Sequence, residues 1–184
     1  TQSTIAFGQE ITASPLQVAL AGATVANGGR LMAPMMLREV RTKDGRSVER
    51  RDPVVYQEVM SESLAEAMRV VMTLAVTEGT GTKAAVPWTS VAGKTGTAQK
   101  VRDGETGYEP GVYIASFLGL VPADEPRLLI LTIIDEPDYA HHYASNSAAP
   151  LFAAVVEEIG RSTSWLSGVA IRDDSRGEST TAWR

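Results

Sequence analysis

The chain has 184 residues, 43% hydrophobic and 21% charged, the composition of an ordinary globular protein long enough to bury a core. Its 17 basic and 22 acidic residues leave a formal charge of −5, and no segment clusters Lys and Arg with aromatics, so nucleic acid is not an expected partner. Cysteine is absent, which excludes disulfides, thiolate catalysis and cysteine metal ligands.

Ser14-Pro15 followed by Leu16, Ala19, Leu20 and Ala23, closing at Asn27-Gly28-Gly29, predicts a helix capped by serine, with proline in its first turn and glycine past its end. Residues 36 to 56 alternate in short polar and apolar runs around Lys43-Asp44-Gly45, which predicts a small peripheral hairpin with its Arg and Glu side chains in water. Ser63-x-x-Glu66 has the spacing of a capping box, and Leu64, Ala67, Met68, Val71 and Ala75 repeat at helical spacing until Glu78-Gly79. Met60, Met68 and Met72 fall there as expected core filler, since an unbranched thioether fits irregular gaps.

Beyond Gly79-Thr80-Gly81-Thr82 the character changes, and residues 91 to 100, 112 to 121 and 127 to 135 predict three successive antiparallel strands. The last contains Leu128 to Ile134, broken only by Thr132, which is too short to span a bilayer and apolar on both faces. A strand of that kind needs a layer above and a layer below. Pro150 opens a helix through Leu151, Phe152, Val155, Val156 and Ile159 that is expected to end at Gly160 and to supply one layer. The stretch from Asp173 to Arg184 is polar and rich in Ser and Thr, the composition of a mobile tail.

Lys94-Thr95-Gly96-Thr97 stands out chemically. It joins a fixed cation, two hydroxyls and a position without a side chain, a set suited to holding a carboxylate while backbone N–H groups meet an acyl oxygen. A nucleotide-binding P-loop is the first rival for Lys94, but its leading glycine would fall at Trp88 and a strand follows where a helix is required. His141-His142 beside Asp135, Glu136 and Asp138 suggests a metal only superficially: adjacent histidines diverge, no third histidine exists, and a solvated loop is expected. Asp135 and Glu136 are expected to cap their strand or meet an arginine. Gly79 to Lys83 is expected to be a helix stop followed by a loop, although a loop leading toward Lys94 could border the same cleft.

Six ordered signals now combine: Phe7-Gly8-Gln9-Glu10, the helix from Thr12 to Gly29, Gly79-Thr80-Gly81-Thr82, Val91 to Lys100, Ser116-Phe117-x-Gly119, and Ala148-Ala149-Pro150. Together they resemble class B penicillin-binding proteins, over residues 5 to 160; KTG belongs to the signature set SxxK, SxN and KTG of these enzymes and of serine β-lactamases. The resemblance implies an α/β (α+β) fold of the serine β-lactamase/transpeptidase type, an antiparallel sheet flanked by helices, incomplete in this chain. It also implies D,D-transpeptidation of peptidoglycan stem peptides ending in D-Ala-D-Ala, acylation by β-lactams, and no cofactor or metal. By motif position Lys94 is the catalytic cation, serving the terminal carboxylate and proton transfer. Thr95, Gly96 and Thr97 form the substrate-binding segment, the two hydroxyls meeting the carboxylate and the Thr97 N–H acting as an oxyanion donor.

One departure governs the reading. No serine here has a lysine three positions later and no SxN triplet occurs; Thr80-x-x-Lys83 and Thr97-x-x-Lys100 are threonine look-alikes. Ser145-Asn146-Ser147 stands where relatives tend to be glycine-rich. The nucleophile and SxN motifs are therefore expected upstream, residues 1–163 forming the C-terminal part of a transpeptidase domain and residues 164–184 a tail. Other expectations follow: the chain alone is inactive, its partners include the upstream part of the same protein and cell-wall synthesis proteins, and it works on the outer face of the bacterial cytoplasmic membrane through an anchor outside this chain. An unpaired edge on the 127–135 strand is expected to drive association. Two alternatives come from other classes: a noncatalytic β-lactam-sensing or cell-wall-binding module, and a stand-alone β-lactamase, which the missing serine motif disfavours.

Overall fold

The computed structural model describes residues 12–101 and 107–162; the Phe7-Gly8-Gln9-Glu10 signal and the expected tail from residue 164 lie outside them. Helix α1, Pro15–Ala26, begins as expected, with Ser14 Oγ accepting from Gln17 N and Gln17 Oε1 accepting from Ser14 N. It ends where the Gly29 N–H donates to Thr24 O, a closure that needs Gly28 at φ 66°.

Strands β1 (Arg30–Met32) and β4 (Val55–Glu58) pair antiparallel, and β2 (Glu39–Arg41) with β3 (Ser47–Arg50) forms the hairpin around Gly45. The hairpin is solvent-facing as expected. Its enclosure by the β1–β4 pair was not legible, because a three-residue strand has too few positions to show a period.

Helix α2, Glu62–Thr77, corrects two expectations. Ser61, not Ser63, is its cap, accepting from Leu64 N at 3.2 Å. The inward face is Ala65, Arg69, Met72 and Val76, whereas Leu64, Met68 and Val71 of the expected apolar face are 51%, 38% and 65% exposed. Met60 and Met72 do pack against a buried cluster; Met68 does not.

The main sheet has the order β5 (Ala92–Val101), β6 (Tyr108–Val121), β7 (Leu128–Asp135), all antiparallel. Strand β6 starts four residues earlier than its apolar run, because a bulge between Gln99 and Val101 lets Val101 face Tyr108. Helix α3, Ala148–Ser162, covers one face, with Phe152 and Val156 fully buried beside Phe117. The Phe117 and Phe152 rings are 4.9 Å apart and tilted. Gly160 does not end α3: it lies inside the helix, where a Cβ would come within 2.4 Å of the Trp88 ring. Leu151 is exposed rather than part of the covered face.

Helix α1 covers the opposite face, where Val25 joins Ala92 and Leu120 with Leu118 and Leu129 packed against them. The two layers demanded by the apolar β7 are thus present. Burial along β7 is nonetheless partial, only Thr132 being fully enclosed, because no described strand pairs with its outer edge. Thr132 spends its hydroxyl on Phe117 O and Ala148 O, joining the sheet to the start of α3. Helix α2 reaches both clusters, Val76 in one and Met72 in the other, and so lies alongside β5.

Candidate functional site

Residues 94 to 97 lie in the middle of β5, and the ladder tells which way each points. Tyr113 O accepts from Glu136 N and Val121 O from Arg127 N, both at 3.0 Å, so odd-numbered residues of β6 turn their backbone groups toward β7. Antiparallel alternation then turns the even-numbered ones toward β5. Lys94 faces Leu118 and Gly96 faces Ser116, so these two spend their amides on β6, while Thr95 and Thr97, opposite Phe117 and Ala115, direct theirs to the outer edge. No described strand occupies that edge.

Side chains alternate across the sheet as well. Thr95 and Thr97 project on the α3 side, the side of Ala115 and Phe117, and Lys94 on the α1 side. The exposed Lys94 ammonium folds back to donate to Thr95 O at 2.7 Å, which brings its charge to the strand's outer edge. Among the described residues no carboxylate lies within ion-pair distance of it. Gly96 has a local reason beyond access for a ligand: a Cβ there would sit 2.6 Å from Ser116 Oγ, which donates to Gly96 O.

Both threonine hydroxyls are held from outside the strand. Thr95 Oγ1 is 2.7 Å from Thr80 Oγ1, so the glycine-rich loop after α2 does reach this strand. Thr97 Oγ1 accepts from the buried Ala144 N–H at 3.0 Å. Lys83 Nζ donates to Asn146 Oδ1 at 2.9 Å, linking the same loop to the turn before α3. Two segments remote in sequence, the loop after α2 and the turn before α3, thus converge on Thr95 and Thr97.

The acidic pair and His142 behave differently from expectation, while His141 is exposed as expected. Asp135 and Glu136 meet Lys100 rather than an arginine: its ammonium lies 3.1 Å from both Asp135 oxygens and also donates to Glu136, which holds a left-handed φ of 53°. These carboxylates raise the Lys100 ammonium above its usual range, Glu136 most. His142 is not a freely solvated loop residue; its ring stacks on Tyr113 at 4.5 Å and Tyr139 at 5.0 Å and meets Tyr143 at 4.0 Å. The 79–83 loop was expected near this strand, but Thr80 Oγ1 and the Ala144 amide as the atoms that hold Thr95 and Thr97 were not foreseen. The motifs 79–82 and 148–150 marked the segments but could not show which atom of each would touch the strand.

A cleft of about 480 Å³ lies elsewhere, lined by Glu66, Arg69, Thr73, Leu74, Ser90 and Asp124 among others. It includes none of residues 94–97. A strand edge has a single wall, and a concave site there requires a second one.

The fold, an antiparallel sheet flanked by helices, is that of the penicillin-binding transpeptidase family. Residues 1–157 match the family described as penicillin binding protein transpeptidase domain, and the chain belongs to that family. It is 35% identical over 158 residues to stage V sporulation protein D of Bacillus subtilis, covering 85% of this chain and 24% of that protein. Peptidoglycan D,D-transpeptidase FtsI of Escherichia coli is 31% identical over 156 residues, with 84% and 24% covered. Among solved structures, the transpeptidase domain of Burkholderia pseudomallei penicillin-binding protein 3 superposes with a TM-score of 0.72 at 31% identity, covering 88% of this chain and 46% of that one. The chain therefore spans about a quarter of these curated relatives and less than half of a solved transpeptidase domain. What it matches is a C-terminal-like part of a class B D,D-transpeptidase domain, with the α/β, helix-flanked antiparallel fold of the transpeptidase and β-lactamase superfamily.

Proposed function

We propose that this chain supplies the carboxylate-binding and oxyanion-binding strand of a peptidoglycan D,D-transpeptidase, residues 1–163 belonging to that domain and 164–184 forming a tail. The observation that carries the reading is the outer edge of β5, unoccupied by any described strand, which gathers the Thr95 and Thr97 backbone groups and the Lys94 ammonium along one line.

In the reaction, a serine oxygen from the part of the domain bearing SxxK attacks the penultimate D-Ala carbonyl. The peptide C–N bond breaks, the departing D-Ala amine takes a proton, and an acyl-serine ester remains. A neighbouring stem's amine then attacks that ester, the C–O bond breaks, and the serine oxygen regains its proton. Lys94 attracts the terminal carboxylate and assists proton transfer, Thr95 and Thr97 donate to that carboxylate, and the Thr97 N–H stabilises the developing oxyanion. Removing one such donor costs about 2.7–4 kcal/mol of transition-state stabilisation. β-Lactams present the same carboxylate and carbonyl and acylate the same serine.

Without SxxK and SxN the chain alone is inactive, and its partners are the remainder of its domain, D-Ala-D-Ala stem peptides and cell-wall synthesis proteins. The site of action is the outer face of the bacterial cytoplasmic membrane. Support for a further part of the domain comes from the exposed apolar row on α2 and from the outer edge of β7, which no described strand pairs with, both surfaces open to a partner.

Fluorescent penicillin tests this directly. Labelling is expected on a segment carrying SxxK when it is co-expressed with this chain, and the isolated 184 residues are expected to stay unlabelled and to self-associate. Labelling of the isolated chain, or a monomer that melts cooperatively by itself, overturns the reading.

A further inference from the structure

Outside the strand, the Thr80 hydroxyl reaches the proposed carboxylate site, 2.7 Å from Thr95 Oγ1. A threonine hydroxyl owns one proton and can accept from others. If Thr95 is to give its proton to a ligand carboxylate, it cannot also give it to Thr80, so the bond between them must run from Thr80 to Thr95. The backbone on either side of Thr80 is pinned. Gly81 N donates to Ala75 O at 2.8 Å and Gly81 O accepts from Ala84 N at 2.8 Å. A Cβ at Gly79 would come within 2.8 Å of Ala75 O, and one at Gly81 would come within 3.0 Å of the same atom and 3.2 Å of the Phe117 ring. Helix α2 and Phe117 thus hold the backbone that carries Thr80.

We infer that Thr80 is a positioning residue that sets the direction of the Thr95 hydroxyl, holding its proton toward the terminal carboxylate of the substrate. The inference rests on the carboxylate-binding reading above and adds a residue of the α2–β5 loop to it. Its consequence is selective: Thr80 matters for ligands bearing that carboxylate and not for the acyl chemistry itself. A residue that merely supports the loop would affect every ligand alike.

The test uses a protein uniting this chain with the rest of its transpeptidase domain, with acylation rates measured for benzylpenicillin and for its methyl ester. Thr80→Val is expected to slow acylation by benzylpenicillin about fivefold, the scale of one hydrogen bond, while the ester rate stays within about twofold. Thr80→Ser is expected to restore the benzylpenicillin rate. If Thr80→Val melts well below the parent, Thr80→Ser against Thr80→Ala carries the same comparison. Equal losses on both probes, or no loss on benzylpenicillin, overturn the inference while leaving the strand's role intact. A parent that benzylpenicillin does not acylate overturns the underlying reading as well.

Discussion

Thr97 Oγ1 accepts the N–H of Ala144, 47 positions further on, at 3.0 Å. This bond fastens the turn before α3 to the strand of the proposed site and occupies an acceptor position of the hydroxyl, leaving its proton for a ligand. Thr97→Val keeps the shape but strips the buried Ala144 N–H of its partner, and is expected to cost about 1–3 kcal/mol of stability in the assembled domain. Thr97→Ser is expected to recover most of that loss. Urea unfolding of the three proteins measures it, and equal stability of parent and Thr97→Val would show that the bond contributes nothing.

Gly96 and Ser116 offer a second test, because they share one site on facing strands. The missing Cβ of Gly96 leaves room for Ser116 Oγ, 2.6 Å from where that carbon would stand. Gly96→Ala is expected to destabilise by about 1–3 kcal/mol as the crowded hydroxyl is forced aside. Ser116→Ala removes the obstructing oxygen, so the double variant is expected to be more stable than Gly96→Ala alone. A double-mutant cycle with no coupling would refute the packing explanation.

The pH dependence has two ends. Asp124 accepts from Ser90 Oγ at 2.8 Å, and this bond holds its carboxyl below the ordinary value of 3.8. A depressed carboxyl stabilises the fold above 3.8, and the contribution disappears as pH falls through the lower folded value. Lys100 has the opposite sign: with its ammonium raised above 10.5, its contribution is complete below 10.5 and is lost as pH climbs through the folded value. Both groups are solvent-facing, so both effects should be small and weaken with salt. Chemical denaturation across pH, comparing parent with Ser90→Ala and Lys100→Met, is expected to show the first variant losing its deficit at the acid end and the second at the alkaline end. Curves that stay parallel at all pH values would contradict the assignment.

How much of this was legible beforehand depended on range. The Ser14 cap, the Gly28 turn and the three long strands rest on neighbours within a few positions, so spacing alone revealed them. Helix α2 shows the limit. Its apolar row at Leu64, Met68 and Val71 was correctly periodic, yet it faces outward, because periodicity reports that a face seeks a partner and not whether the same chain provides one. Gly160 misled for a related reason: glycine past a helix end and glycine beneath a Trp88 ring look alike in sequence.

The order of charged, hydroxyl and bare positions in Lys94-Thr95-Gly96-Thr97 was determined by the sequence itself, and strand alternation follows from that order without further information. Only the tertiary structure decided which atoms hold those hydroxyls, Thr80 for one and the Ala144 amide for the other, and that the Thr95 and Thr97 backbone groups lie on an edge no described strand occupies. The physical reason is that hydrogen-bond partners brought together across the fold, like the choice of neighbouring strand, are set by packing of the whole domain, which leaves no mark in the spacing of nearby residues.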